Sequence, residues 1–208
     1  IRDLRMSRGL GNVYKRQAYY EHFQSLLCCK ELEQLLEQQD YRLVFYPHIE
    51  MQKDSRRFKS GSDRITIVSK ETHDVQKLLM DCALLVTDYS SVFFDVAFLR
   101  KPVVYYQFDE EEFRKYHYQK GYFDFRRDGF GPVCTTQEAL LEALTESFEN
   151  GMEMRTEYAQ RTERFFPLHD GNNCRRTFEA IVRLKERNKK HAAESESLSA
   201  VSYTHLRA

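Results

Sequence analysis

Short apolar segments alternate with helical segments along most of this chain, and this alternation restricts the possible folds more than any other feature. A helical apolar spacing over residues 19–39 is followed by a strand-like run at residues 42–46. Further strands are predicted at residues 65–68 and 83–86, and then at Val103–Tyr106 and Val133–Cys134. Such alternation is typical of a mostly parallel sheet covered on both faces. We therefore expect an α/β fold with a Rossmann-like, doubly wound parallel sheet.

Capping residues and chain breakers predict the helices between these strands. Thr72 is the expected N-cap of one helix, residues 92–99 form the next until Pro102 breaks it, and an acidic helix is expected near residues 109–115. Thr135 or Thr136 should cap a helix at Gln137–Glu149. The last two helices are predicted at residues 152–165 and 173–190.

Length and charge limit the possible functions. The 208 residues suffice for one α/β domain, and equal numbers of basic and acidic residues, 32 each, leave no overall field that would attract nucleic acid. Five cysteines without a CxxC pair argue against a disulfide framework or a zinc site and favour a reducing cytosol. No apolar run is long enough to span a bilayer.

Both ends of the chain lack the periodicity of a packed core. Residues 1–17 and 191–208 are expected to be non-native or disordered, and each contains a string, VYKRQ or VSYTHLRA, that resembles translated adapter sequence. We therefore expect one Rossmann-like domain at residues 18–190.

Polar residues at the ends of the predicted strands are the candidates for a binding site. Ligands of parallel α/β sheets bind at the carboxyl ends of strands, and three groups lie there: residues 47–48, 88–91 and 107–109. We expect all three to face one crevice. The group at residues 88–91 is the most informative, because two serine hydroxyls beside a helix start can hold a diphosphate without a lysine.

Each candidate also has a purely structural explanation. Ser90 or Ser91 could simply cap the helix that follows, and Asp95 could be solvated or hold the loop. A single histidine such as His48 is more often structural than functional. Asp170 precedes a glycine, where a turn and a helix cap would account for it. No histidine pair has metal-ligand spacing, so no metal site is predicted.

Four ordered blocks of sequence resemble one protein family. VTDYSSVFFDVAFLRKPVVYYQFDEEEF is similar to the segment that marks the CDP-glycerol glycerophosphotransferases. FYPHIE precedes it, GPVCTTQEALLEAL follows it, and FFPLHDGNNCRR lies near the end, so that the resemblance covers roughly residues 20–185.

The resemblance implies a fold, a reaction and a set of residues. These enzymes have a two-domain architecture of the GT-B type, and this chain resembles the C-terminal, nucleotide-binding half. The reaction transfers glycerol phosphate from CDP-glycerol to a growing polymer and releases CMP. Carried over by position, the catalytic residue is His48 and the substrate-binding residues are Asp88, Ser90, Ser91, Asp95 and Asp170. One departure is that Pro47 precedes His48, whereas the family more often has proline after the histidine.

The resemblance also implies the surroundings of the protein. The partners are CDP-glycerol, a poly(glycerol phosphate) or related polyol-phosphate acceptor, and an N-terminal domain that carries the presumed general base. Neither a cofactor nor a nucleic acid is expected. The full-length protein would lie in the cytoplasm, peripheral to the inner face of the cell membrane, and the isolated chain would be inactive.

Two other functions remain open from the residues alone. A GT-B glycosyltransferase or epimerase would hold a UDP-sugar in a similar crevice, and preference for cytidine or uridine would separate the two enzymes. A non-catalytic nucleotide-binding or docking module would use the same residues only as helix caps, and no nucleotide would stabilise it.

Overall fold

The computed structural model of the chain describes residues 10–48, 51–52, 56–110 and 122–204. The chain divides into two compact units, Ile1–Arg164 and Phe165–Ala208. The first unit contains all the strands in the described ranges and the hydrophobic core. The second contains the long C-terminal helix.

Two helices form where one was predicted. Helix α1 spans Leu10–Leu27 and α2 spans Lys30–Gln38, so the expected helix at residues 19–39 is broken at Cys29, which has an extended backbone. The backbone N–H of Gly61 donates to the carbonyl of Leu27 over 3.0 Å and satisfies the end of α1. A contact distant in sequence therefore stabilises the break, and no local glycine or proline signals it.

The strands pair in parallel, as predicted, but they form two sheets and not one. Strands β1 (Leu43–Phe45) and β2 (Ile65–Ile67) form the first sheet. The second has the order β3-β4-β5, with β3 at Leu85–Thr87, β4 at Val103–Tyr106 and β5 at Val133–Cys134. The prediction of a single doubly wound sheet is therefore corrected to two small parallel sheets.

Side chains join the two sheets where no backbone ladder does. The ring of Phe23, on α1, lies 5.3 Å from that of Phe45 on β1 and 5.8 Å from that of Tyr106 on β4. Both sheets thus contribute to one core, and strand β4 is buried at all four positions. This packing places the carboxyl ends of β1 and β4 beside the N-terminal helix.

Helix α3 (Val75–Asp81) shows why one predicted cap was wrong. Its N-cap is Asp74, whose carboxylate accepts a hydrogen bond from the backbone N–H of Gln76 at 2.8 Å. The Thr72 hydroxyl instead bonds to the backbone of Ser69. Both residue types cap helices well, so position in the loop decided between them.

Two further helices of the first unit follow the predictions closely, and one short helix was not predicted. Helix α4 covers Val92–Phe98, and a short helix, α5, covers Phe125–Asp128. Helix α6 has the predicted bounds, Gln137–Glu149, and the hydroxyl of Thr136 caps it by accepting from Ala139 N at 3.2 Å. The acidic helix expected near residues 109–115 lies largely outside the described residues.

Helix α7 (Thr156–Phe165) starts four residues later than predicted. Gly151 and Met152 both have positive φ, at 66° and 59°, and this left-handed pair ends the preceding turn before a new helix can begin.

Helix α8 (Asn173–Thr204) continues beyond residue 190 into the tail for which disorder is predicted. Extending an existing helix needs no new nucleation, and the tail is rich in alanine and glutamate, which are good helix formers. No helix in the described ranges has the length and apolar character needed to cross a membrane.

Candidate functional site

The turn after β3 is organised by the carboxylate of Asp88. Its Oδ1 atom accepts hydrogen bonds from the backbone N–H groups of Tyr89, at 2.7 Å, and Ser90, at 3.0 Å. Both bonds satisfy donors that would otherwise be unpaired at the start of α4. The Asp88 carboxylate thus stabilises the turn, and the serine hydroxyls are not needed for this.

The serine hydroxyls do not cap the helix. Ser91 occupies the N-cap position of α4 but makes no side-chain capping bond, and its backbone is already helical, with φ −63° and ψ −7°. Ser90 is partly buried and Ser91 exposed. Within the described ranges the hydroxyl of Ser90 makes no hydrogen bond. Both hydroxyls are therefore available to a ligand, which weakens the purely structural explanation.

The loop after β4 is tied to this turn by two hydrogen bonds. The side-chain amide of Gln107, which is almost completely buried, donates from Nε2 to the carbonyl oxygen of Asp88 at 3.3 Å. The hydroxyl of Tyr89 donates to Oδ1 of Asp109 at 3.1 Å. Two of the three predicted groups, at residues 88–91 and 107–109, therefore lie together.

The protonation of Tyr89 follows from its surroundings. Burial raises the pKa of its phenol far above the usual range, and the negative charges of Asp109, Glu110 and Asp88 raise it further. The phenol therefore stays protonated and can donate to Asp109 over the whole physiological range.

The loop after β1 reaches the same region through Tyr19 of α1. Pro47 is buried and His48 exposed, and the backbone N–H of His48 donates to the Tyr19 hydroxyl oxygen at 3.3 Å. Burial raises the pKa of Tyr19 well above its usual range, the negative charge of Asp88 raises it further, and the His48 N–H acts in the opposite direction. The Tyr19 hydroxyl is therefore influenced both by the His48 N–H after β1 and by the charge of Asp88 after β3.

A buried glutamine fixes the β1 loop against the β2 loop. Gln52 donates from Nε2 to the carbonyl of Pro47 at 2.7 Å and accepts from Lys70 N at 3.0 Å. An open concavity of about 460 Å³ lies at the carboxyl ends of these strands, lined by Tyr46, Lys70, Glu71, Thr72, His73, Asp74 and Val75. The lining of this concavity includes a lysine and a histidine beside two acidic residues.

The other two predicted site residues, Asp95 and Asp170, have different surroundings. Asp95 is exposed on α4, one turn after Ser91, and no hydrogen bond or ion pair joins it to the turn in the described part of the chain. Asp170 belongs to the second unit, where its carboxylate accepts from Asn172 N at 3.1 Å and pairs with Arg176. That arginine holds the pKa of Asp170 well below its usual range.

The sequence predicts neither the contact of Tyr19 nor the bonding role of Gln107. Tyr19 lies on a helix upstream of every strand-end group, so no motif marks it. Gln107 was inside a candidate group, but only its burial shows that it acts on the neighbouring turn. In the described ranges, no group of three or more His, Cys, Asp or Glu side chains has an arrangement that could hold a metal ion.

Hydroxyl and backbone N–H groups at the carboxyl edge of parallel strands are typical of proteins that bind phosphate-bearing ligands. The family model described as CDP-Glycerol:Poly(glycerophosphate) glycerophosphotransferase matches residues 8–183. The chain belongs to this family. The match begins within the stretch 1–17 that lacks core periodicity.

Individual relatives agree with this assignment. The minor teichoic acid biosynthesis protein GgaB of Bacillus subtilis (strain 168) is 29% identical over 181 residues, which are 82% of this chain and 18% of GgaB. The chain thus spans less than a fifth of that relative's length.

Solved structures of the wall teichoic acid polymerase TagF share the fold. One has a TM-score of 0.52 at 22% identity, covering 75% of this chain and 38% of TagF. A second, of a TagF variant soaked with CDPG, has a TM-score of 0.52 at 20% identity, covering 88% of this chain and 49% of that one. At these identities the likeness concerns the fold alone.

Proposed function

We propose that this chain is the nucleotide-binding part of a CDP-glycerol glycerophosphotransferase. The observation that carries the proposal is the family match over residues 8–183, which includes all the strand-end groups of the crevice. The CDPG soak of a TagF variant with the same fold supports CDP-glycerol as the ligand. The complete enzyme would have the two-domain GT-B arrangement, with this chain as its C-terminal half.

The proposed reaction is a displacement at phosphorus. The terminal hydroxyl of a polyol-phosphate acceptor attacks the phosphorus that bears glycerol, and the bond from that phosphorus to the CMP oxygen breaks. CMP leaves with the electron pair, and the hydroxyl proton passes to a base outside this chain. Such reactions depend mainly on positioning and on stabilising the charge of the phosphate oxygens.

Different residues would have different roles in the proposed reaction. The hydroxyls of Ser90 and Ser91 would donate to the diphosphate, and a protonated His48 would offset charge on the departing CMP. Asp88 would hold the turn and not the ligand, because its Oδ1 atom already accepts two backbone N–H groups. Asp95 and Asp170 stay predictions, since the first is exposed and the second is ion-paired with Arg176.

The charge of the crevice suggests that this part alone binds weakly. The acidic side chains of Asp88 and Asp109 both lie at the turn, and Arg126 is already paired with Glu110 at 2.8 Å. A diphosphate must therefore be held by neutral donors and by His48, with further cations supplied by the rest of the enzyme. A position at the inner face of the cell membrane, where the acceptor would grow, is part of the same proposal.

The test is to titrate the purified chain with CDP-glycerol and then to assay CMP release. We expect measurable binding and no release, because the partner half that carries the presumed base is not included. Turnover by this chain alone would contradict the assignment as a half-site. Failure to bind any nucleotide would favour a docking module instead.

A further inference from the structure

Tyr19 presents a hydroxyl proton that the described protein does not use. Its oxygen accepts the backbone N–H of His48 at 3.3 Å, and the hydroxyl makes no other hydrogen bond with the described part of the chain. A phenol carries one donor hydrogen in addition to its acceptor capacity. The side chain is partly buried, and its donor hydrogen is available to an acceptor on a ligand.

The same face of α1 covers the ends of the central strands. His22, one turn after Tyr19, stacks on Phe108 just beyond β4, with ring centroids 4.2 Å apart and planes 17° apart. Phe23 packs edge-on against the same Phe108 ring, at 5.8 Å. Helix α1 therefore forms a wall of the crevice, and Tyr19 stands where this wall meets the His48 loop.

The protonation state of Tyr19 suits a donor. Burial and then the charge of Asp88 raise its pKa above the usual range, so the phenol keeps its proton at neutral pH. The structure contains no hydrogen bond from this hydroxyl to Asp88. An anionic oxygen entering between the β1 and β3 loops would meet the proton directly.

We propose that the Tyr19 hydroxyl donates a hydrogen bond to a phosphate oxygen of the bound nucleotide while its oxygen continues to accept the His48 N–H. This inference rests on the proposed function, because it assumes that the crevice takes a nucleoside diphosphate. Tyr19 thereby becomes a binding residue outside the turn at residues 88–91. The Tyr19 hydroxyl would then connect the bound phosphate to the backbone of His48.

The experiment compares Tyr19→Phe with Tyr20→Phe in the full chain. Tyr20 is the matched control, because its hydroxyl also bonds to the backbone, donating to the carbonyl of Arg57 at 3.3 Å. Calorimetry with CDP and with cytidine, and the melting temperature, are measured for each protein. We expect Tyr19→Phe to lose roughly tenfold or more in CDP affinity while cytidine binding stays unchanged. Tyr20→Phe should behave as wild type.

The outcomes separate this inference from the function on which it rests. Wild-type CDP affinity in Tyr19→Phe overturns the role of Tyr19 and leaves the proposed function standing. An equal loss for CDP and cytidine, with a lower melting temperature, shows a structural role and also overturns it. If the wild-type chain binds no CDP, both the proposed function and this inference fall.

Discussion

The buried side-chain amide of Gln107 lies 3.3 Å from the carbonyl oxygen of Asp88 and donates to it, which ties the loop after β4 to the turn after β3. This bond keeps the two central strand ends in one arrangement. Replacing Gln107 therefore tests how much this hydrogen bond contributes to the stability of the fold.

Gln107→Leu should lower the free energy of unfolding by about 1–3 kcal/mol, because the Asp88 carbonyl loses its buried donor. Gln76→Leu is the control, since Gln76 is exposed on α3 and should change stability by no more than about 0.5 kcal/mol. Chemical denaturation of both variants is the measurement. Equal stabilities would show that the bond contributes nothing.

Removing the serine hydroxyls should affect the ligand and not the fold. Ser90→Ala with Ser91→Ala should weaken CDP binding, each lost hydroxyl contributing roughly 1.5–3 kcal/mol if it bonds to a charged oxygen. The melting temperature should stay near that of wild type, because neither hydroxyl caps α4.

Thr136→Ala provides the opposite control. Its hydroxyl does cap a helix, so this variant should lose about 1 kcal/mol of stability and bind CDP normally. A serine double variant that melts early but binds normally would instead support the capping explanation.

His48→Gln should remove most of the pH dependence of CDP affinity. If His48 is protonated in the complex, wild-type affinity falls as rising pH removes that proton. Glutamine keeps a donor but carries no charge, so its profile should be flatter between roughly pH 5.5 and 8.5.

The exposed His191, on helix α8, gives the comparison for this experiment, because it lies in the tail outside the predicted domain. His191→Gln should reproduce the wild-type profile. If His48→Gln does so as well, His48 does not contact the diphosphate.

The buried phenols predict loss of stability in alkali. Burial raises the pKa of Tyr106 from 10.0 to about 12, mainly by desolvation, with Glu138 and Cys134 adding to it. Above about pH 10 the unfolded chain loses this proton while the folded chain retains it, so stability falls as pH rises. Denaturation at pH 8 and pH 11 should show the fall, and Tyr106→Phe should reduce it. An unchanged slope in that variant would exclude Tyr106 as a contributor.

Local signals predicted some parts of this structure fully. The bounds of β4 follow from Pro102 and four apolar residues, and those of α6 from Thr136 and its apolar spacing. The convergence of the β3 and β4 loops followed from the rule that parallel strands end at one edge.

Other parts depended on contacts that no local pattern encodes. The break before α2 is stabilised by Gly61, more than thirty residues away along the chain. The contact of Phe23 with both sheets, and the contact of Tyr19 with the His48 loop, appear only once α1 is packed against the strands. These features therefore depend on contacts between residues distant in sequence, which periodicity and capping signals do not predict.

The central claim is that this crevice binds a cytidine diphosphate. The most direct measurement is the melting temperature of the full chain with increasing CDP and, in parallel, UDP, since a ligand stabilises the native state by an amount set by its concentration relative to its dissociation constant. We expect a rise with CDP that exceeds the rise with UDP at every concentration. An equal or larger rise with UDP, or no rise with either nucleotide, would contradict it.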